Sequence, residues 1–115
     1  MSSRDSALSS VTGKLWIGGA WRDAESQARF DVEDPATGET LAQVADGSAA
    51  DGQRALDAAV AVQDDWAATS PRERGEILRR AFELVSQHSD ELATLMTLEM
   101  GKSLGESRAE ISYGA

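Results

Sequence analysis

The sequence predicts an α/β chain in which short β-hairpins are followed by amphipathic helices. Three observations predict it. Turn-forming glycine and proline punctuate alternating apolar residues in the first half, the apolar period lengthens to that of a helix after Ser48, and serine-led helix starts recur from there onward.

Residues 1–13 are serine-rich, with one arginine and two aliphatic residues larger than alanine, and read as a disordered tail rather than a signal. Residues 14–17 and 20–22 flank Gly18-Gly19, a pair suited to the positive φ angles of a tight hairpin turn. A second hairpin follows. Phe30 and Val32 share one face of Arg29–Glu33, Asp34-Pro35-Ala36-Thr37-Gly38 reverses the chain, and Thr40, Ala42 and Val44 alternate in residues 39–45.

Ser48 with Asp51, Ser70 with Pro71 and Glu73, and Ser103 with Glu106 each mark a helix start, because hydroxyl and carboxylate together satisfy orphan backbone donors. The first of these helices, residues 49–66, gathers Leu56, Ala59, Val60 and Trp66 toward one side. The second repeats Leu78, Ala81, Phe82 and Val85 at helical spacing. Another helix begins near Ser89, turns Leu92, Leu95 and Met96 inward, and ends at Gly101, the residue best suited to a left-handed cap. The last helix opens a stripe of Leu104, Arg108 and Ile111 but stops at Tyr113-Gly114-Ala115. That reads as an interrupted element.

Composition narrows the chemistry. With 11 Lys+Arg against 20 Asp+Glu the formal charge is −9, which repels nucleic-acid phosphates and anionic membrane surfaces, so neither is an expected partner. No apolar run reaches the length of a membrane span, and the absence of a signal-like start makes the cytoplasm the expected location. The 115 residues contain no cysteine, so thiolate nucleophiles, disulfides and thiolate metal sites are excluded within them.

Several motifs invite a functional reading. Gly101-Lys102-Ser103 resembles the end of a phosphate-binding loop, but Met96 stands where the earlier glycine is required and a helical segment precedes it. Gly101 to Gly105 also spells the nucleophile elbow G-x-S-x-G, which would make Ser103 a hydrolase serine. That elbow must follow a strand and precede its histidine, whereas the one histidine, His88, lies upstream, so Ser103 reads first as a helix N-cap. His88 suits the end of its helix, where a partial positive charge offsets the carbonyl dipoles. Trp16, Trp21 and Trp66 read as packing residues rather than a base-stacking surface. Asp64-Asp65 and Glu106/Glu110 read as solvated helix faces rather than acid–base pairs. Glu99 is different: it follows Leu92 at i+7, which places a carboxylate on an apolar stripe and calls for Lys102, a backbone amide or a monovalent cation as partner.

The order of these pieces carries a resemblance. Leu15-Trp16-Ile17-Gly18-Gly19-Ala20-Trp21, Asp34-Pro35-Ala36-Thr37-Gly38-Glu39, the alanine-rich helix ending in Trp66, Ser70-Pro71-Arg72-Glu73-Arg74, and Leu98 to Glu106 together resemble the opening of aldehyde dehydrogenases. Thr97 to Lys102, followed by Glu106, Glu110 and Ile111 to Ala115, is most similar to the succinate-semialdehyde type. The resemblance implies an NAD- or NADP-dependent enzyme, several times longer and soluble, that oxidises a small-molecule aldehyde and assembles as a homo-oligomer. A cysteine thiolate attacks the aldehyde, an asparagine and a backbone amide hold the oxyanion, and a glutamate activates water.

On this reading residues 14–115 are an incomplete, truncated portion of the cofactor-binding domain, its outer strands and first helices, and partner the rest of their own chain. Cysteine and asparagine are both absent from the sequence, so no catalytic or cofactor-binding residue is assigned, and the segment is expected to be inactive alone. One site carries over from the resemblance, a structural Na⁺ or K⁺ held by Val32, Glu33 and Glu99. The rival expectations are a self-contained α/β interaction module without catalysis and the Ser103 hydrolase.

Overall fold

The computed structural model describes residues 2–115. A short helix α1 (Ser3–Ser9) precedes two hairpins, β1 (Leu15–Ile17) with β2 (Ala20–Arg22) and β3 (Arg29–Glu33) with β4 (Thr40–Ala45). Four helices follow: α2 (Ala49–Ala68), α3 (Pro71–Gln87), α4 (Ser89–Met100) and α5 (Leu104–Gly114).

Both hairpins are antiparallel, and each is a separate two-stranded sheet. Gly18 and Gly19 take φ of 61° and 78°, the two positive angles that a type I′ turn demands of its central pair. In the second hairpin the Asp34 carboxylate accepts from the Ala36 amide at 2.9 Å, and the Asp34 carbonyl accepts from Gly38 at 2.7 Å. Register slips by one residue between Val32 and Glu33, leaving Leu41 as the extra residue of a bulge. The hairpins are tied to their flanks by Ala45 N–H to the Gly13 carbonyl and Asp46 N–H to the Ala28 carbonyl, both 2.8 Å.

The helix starts obey local chemistry. Ser48, Ser70 and Ser103 each accept from the amide three residues on, while Asp51, Glu73 and Glu106 reach back to the amide of the capping serine. Gly101 ends α4 at φ 74°, and a Cβ placed there would lie 3.1 Å from Pro35 Cγ, so the end of α4 abuts the β3–β4 turn.

The disordered tail expected over residues 1–13 is corrected, with Met1 outside the described residues. Ser2 and Asp5 form a fourth capping box, and α1 lies against α4 with Ala7 wholly buried. The apolar stripes differ in fate. Leu92, Leu95 and Met96 are half-buried as expected, but Leu56, Val60, Trp66, Leu78 and Phe82 are exposed.

Among the described residues the buried apolar core holds only Ala7, Ile17, Ala24, Ala45 and Ala93. The radius of gyration is 16.8 Å, against about 13 Å for a compact domain of this length. Accessible surface is 8034 Å², where a folded monomer of this mass exposes roughly 6,100 Å².

Candidate functional site

Val32 and Glu33 end β3, and Glu99 stands in the last turn of α4. The contact between Pro35 and Gly101 brings these two segments together, each two residues from the residues of interest. Local sequence explains the approach, since the Asp34 turn closes the hairpin beside the point where left-handed Gly101 ends the helix. The bulge at Val32/Glu33 disturbs the ladder there, and displaced backbone beside exposed carboxylates offers oxygen donors, the ligand type that hard cations take. Among the described residues no group of three His, Cys, Asp or Glu side chains gathers as a metal cluster, so a cation here would rely on backbone carbonyls.

The inward orientation expected of Glu99 is corrected. Glu99 and its neighbour Met100 are both exposed, whereas Leu92 to Leu98 of the same helix are buried or half-buried. Lys102 is not its partner: the ammonium pairs with Glu110 of α5. Among the described residues Glu99 forms no ion pair.

The other residues singled out in the sequence fall into structural roles. Ser103 is the N-cap of α5, its hydroxyl donating to Glu106 at 2.9 Å, and that bond with the Ser103 amide holds the Glu106 carboxyl below its ordinary range. A helix, not the strand that a nucleophile elbow requires, precedes it, as the sequence leads one to expect, since α4 ends at Met100. His88 joins α3 to α4, and its Nδ1 lies 3.2 Å from Glu91. The Ser10 hydroxyl and then the His88 ring keep the Glu91 carboxyl lowered. Trp16 and Trp21 face each other across the first hairpin, edge to face with centroids 5.0 Å apart, and both remain about half exposed.

Asp51 has a larger part than its helix-cap reading foretold. Buried at the start of α2, it accepts from the Ser48 amide at 2.9 Å and from the Glu25 amide at 3.2 Å, and lies 3.5 Å from Arg54. The Ser48 amide foremost, then the Glu25 amide, the Ser48 hydroxyl and the Arg54 guanidinium, lower its carboxyl against the opposing effect of burial. It thereby staples the loop after β2 to α2. Nothing in the local sequence signals the Glu25 bond, which spans 26 residues.

Residues 21–115 match the family described as the aldehyde dehydrogenase family. The chain is 56% identical over 75 residues to a succinate-semialdehyde dehydrogenase of Paenarthrobacter nicotinovorans, an alignment covering 65% of this chain and 17% of that protein. The crystal structure of a succinate-semialdehyde dehydrogenase from Burkholderia pseudomallei superposes with a TM-score of 0.85 at 47% identity, over 87% of this chain and 21% of that one. Betaine aldehyde dehydrogenase from Staphylococcus aureus, solved in complex with NAD⁺, gives 0.88 at 26% identity over 97% and 23% respectively. The chain thus spans about a fifth of the length of these relatives. Matched over most of its residues and sharing the backbone course of solved members, the chain belongs to the aldehyde dehydrogenase family.

Proposed function

We propose that this chain is the N-terminal part of an NAD(P)-dependent dehydrogenase that oxidises succinate semialdehyde to the dicarboxylate, and that residues 14–115 form the outer part of its cofactor-binding domain. The 56% identity to a succinate-semialdehyde dehydrogenase carries the reading. In that reaction the aldehyde gives a hydride to the nicotinamide and water supplies the second carboxylate oxygen. The nicotinamide accepts the electron pair when bound. No cysteine or asparagine of this sequence serves as nucleophile or oxyanion donor, so these residues support the reacting groups without touching them.

Physical support comes from the surface. About 2,000 Å² of accessible area beyond that of a compact monomer is on the scale of an obligate interface. Leu78 and Phe82, more than half exposed, are among the side chains it contains. An exposed apolar stripe of this kind marks a surface that packs against further protein. Homo-oligomeric assembly and a cytoplasmic location belong to the same reading, as does a structural Na⁺ or K⁺ at Val32, Glu33 and Glu99.

The test is turnover by the protein encoded by the longer reading frame, followed as NADH or NADPH formation with succinate semialdehyde and with betaine aldehyde. A higher kcat/KM for succinate semialdehyde supports the proposal, and a preference for betaine aldehyde sinks the substrate. Aldehyde oxidation by the 115 residues alone would overturn the supporting role. For the cation, Na⁺ or K⁺ should raise the Tm of that protein but not of its Glu99→Gln variant; equal response in both removes Glu99 from the site.

A further inference from the structure

Helix α1 is only seven residues long, and isolated helices shorter than about 12–15 residues are marginal in water. Its capping box helps locally, yet Ala7 is wholly buried, and a side chain on so short a helix is buried only by what the helix rests on, here chiefly α4. Folding and docking of α1 are therefore one event.

The hold is slight. Arg4 reaches the β3–β4 turn, with Nη2 3.2 Å from the Glu39 carboxylate and Nη1 3.8 Å from that of Asp34. At the other end the Ser10 hydroxyl stands beside Glu91 of α4. Between them a cleft of about 450 Å³, lined by Ser3 and Ser6 on one side and Thr94, Leu98 and Arg108 on the other, leaves α1 incompletely seated. The ion pairs of half-exposed Arg4 weaken as salt rises, and the one fully buried apolar side chain of α1 is an alanine, so these pairs are a large share of a slight hold.

We propose that α1 is a detachable strap: it folds only when docked across α4, is tied to the β3–β4 turn by Arg4, and leaves as a disordered segment when that tie weakens. Release uncovers the α4 surface at Thr94 and unloads the Asp34 to Glu39 turn. The inference is independent of the substrate assigned above.

Two measurements on the intact protein test it. In the unmodified protein, amide exchange over residues 6–10 should be protected at low ionic strength and accelerate as salt rises, with little change in α2. In thiol labelling mapped by mass spectrometry, the Ala7→Cys variant should react about ten-fold more slowly than Ser9→Cys, as expected of a site exposed only by local opening. Adding Arg4→Gln should bring the two rates together. Salt-insensitive exchange together with slow labelling after Arg4→Gln would make α1 a fixed part of the fold. Unprotected amides at low salt would mean that no strap is docked; either result overturns the proposal.

Discussion

Helices α4 and α5 close on each other, whereas α2 and α3 stand largely open, although α3 has the more one-sided apolar face. Ala93 and Ser107 are fully buried, and the Thr97 and Ser107 hydroxyls hydrogen-bond at 2.8 Å. Leu56, Val60 and Trp66 of α2 and Ile77, Leu78 and Phe82 of α3 face outward. An apolar stripe therefore records what a helix needs to cover, not what covers it. The helix itself is secured by its ends, since α2 and α3 have complete capping boxes without a buried apolar face.

The sharpest way to break this contrast is Phe82→Ala. If further protein covers α3, the substitution should cost about 3–5 kcal/mol in the longer protein and stay within about 0.5 kcal/mol in the 115-residue chain, as at an ordinary surface position. Denaturant titration of both would read it. Equal, small losses would mean that the stripe stays open in both. Next in size is Ala93→Leu, which forces extra methylenes into a closed contact and should cost about 1–3 kcal/mol. Ala59→Leu, on an exposed part of α2, should be close to neutral, and a comparable loss there would dissolve the distinction.

The same division explains what the sequence made legible. Caps, the Gly18-Gly19 turn, the Asp34 turn and the left-handed end at Gly101 are local, set by residues within four positions of one another, and each was foreseen. Helix α1 was not, although Ser2 and Asp5 repeat the serine–acid spacing of the other starts, because a serine-rich, weakly apolar segment gives no stripe to confirm a cap. Glu99 was misread for the converse reason. Its position on the stripe is right in phase, but whether that phase is covered is decided by neighbouring segments and not by the helix's own period, and Glu99 is exposed. The bond from the Glu25 amide to Asp51 is likewise a tertiary fact, invisible to periodicity.

Local devices should therefore lose comparable, modest amounts in short and long forms of the protein alike. Gly101→Ala imposes a Cβ at φ 74° and within 3.1 Å of Pro35; the left-handed conformation alone costs roughly 1–2 kcal/mol. Ser70→Ala removes the acceptor for the Glu73 amide and should cost about 1 kcal/mol. A loss that appears only in the longer protein would mean that these ends, too, depend on distant packing.

The finest discrimination comes from acid. The Asp51 carboxyl is lowered in the folded chain, by the Ser48 amide foremost. A depressed folded value means that the native state favours the ionised form more than the unfolded state does. Its contribution is thus complete above the ordinary aspartate range and is lost as pH falls through that range toward the folded value. Asp5, Glu91 and Glu106 are lowered in the same sense, so the chain should weaken progressively on acidification. Asp51→Asn keeps an acceptor for the Ser48 and Glu25 amides but cannot titrate. Thermal melts between neutral pH and about pH 3, below the usual carboxylate range, should show a shallower acid slope for that variant. An unchanged slope would place the pH sensitivity elsewhere and leave Asp51 as a hydrogen-bonding staple whose charge contributes nothing.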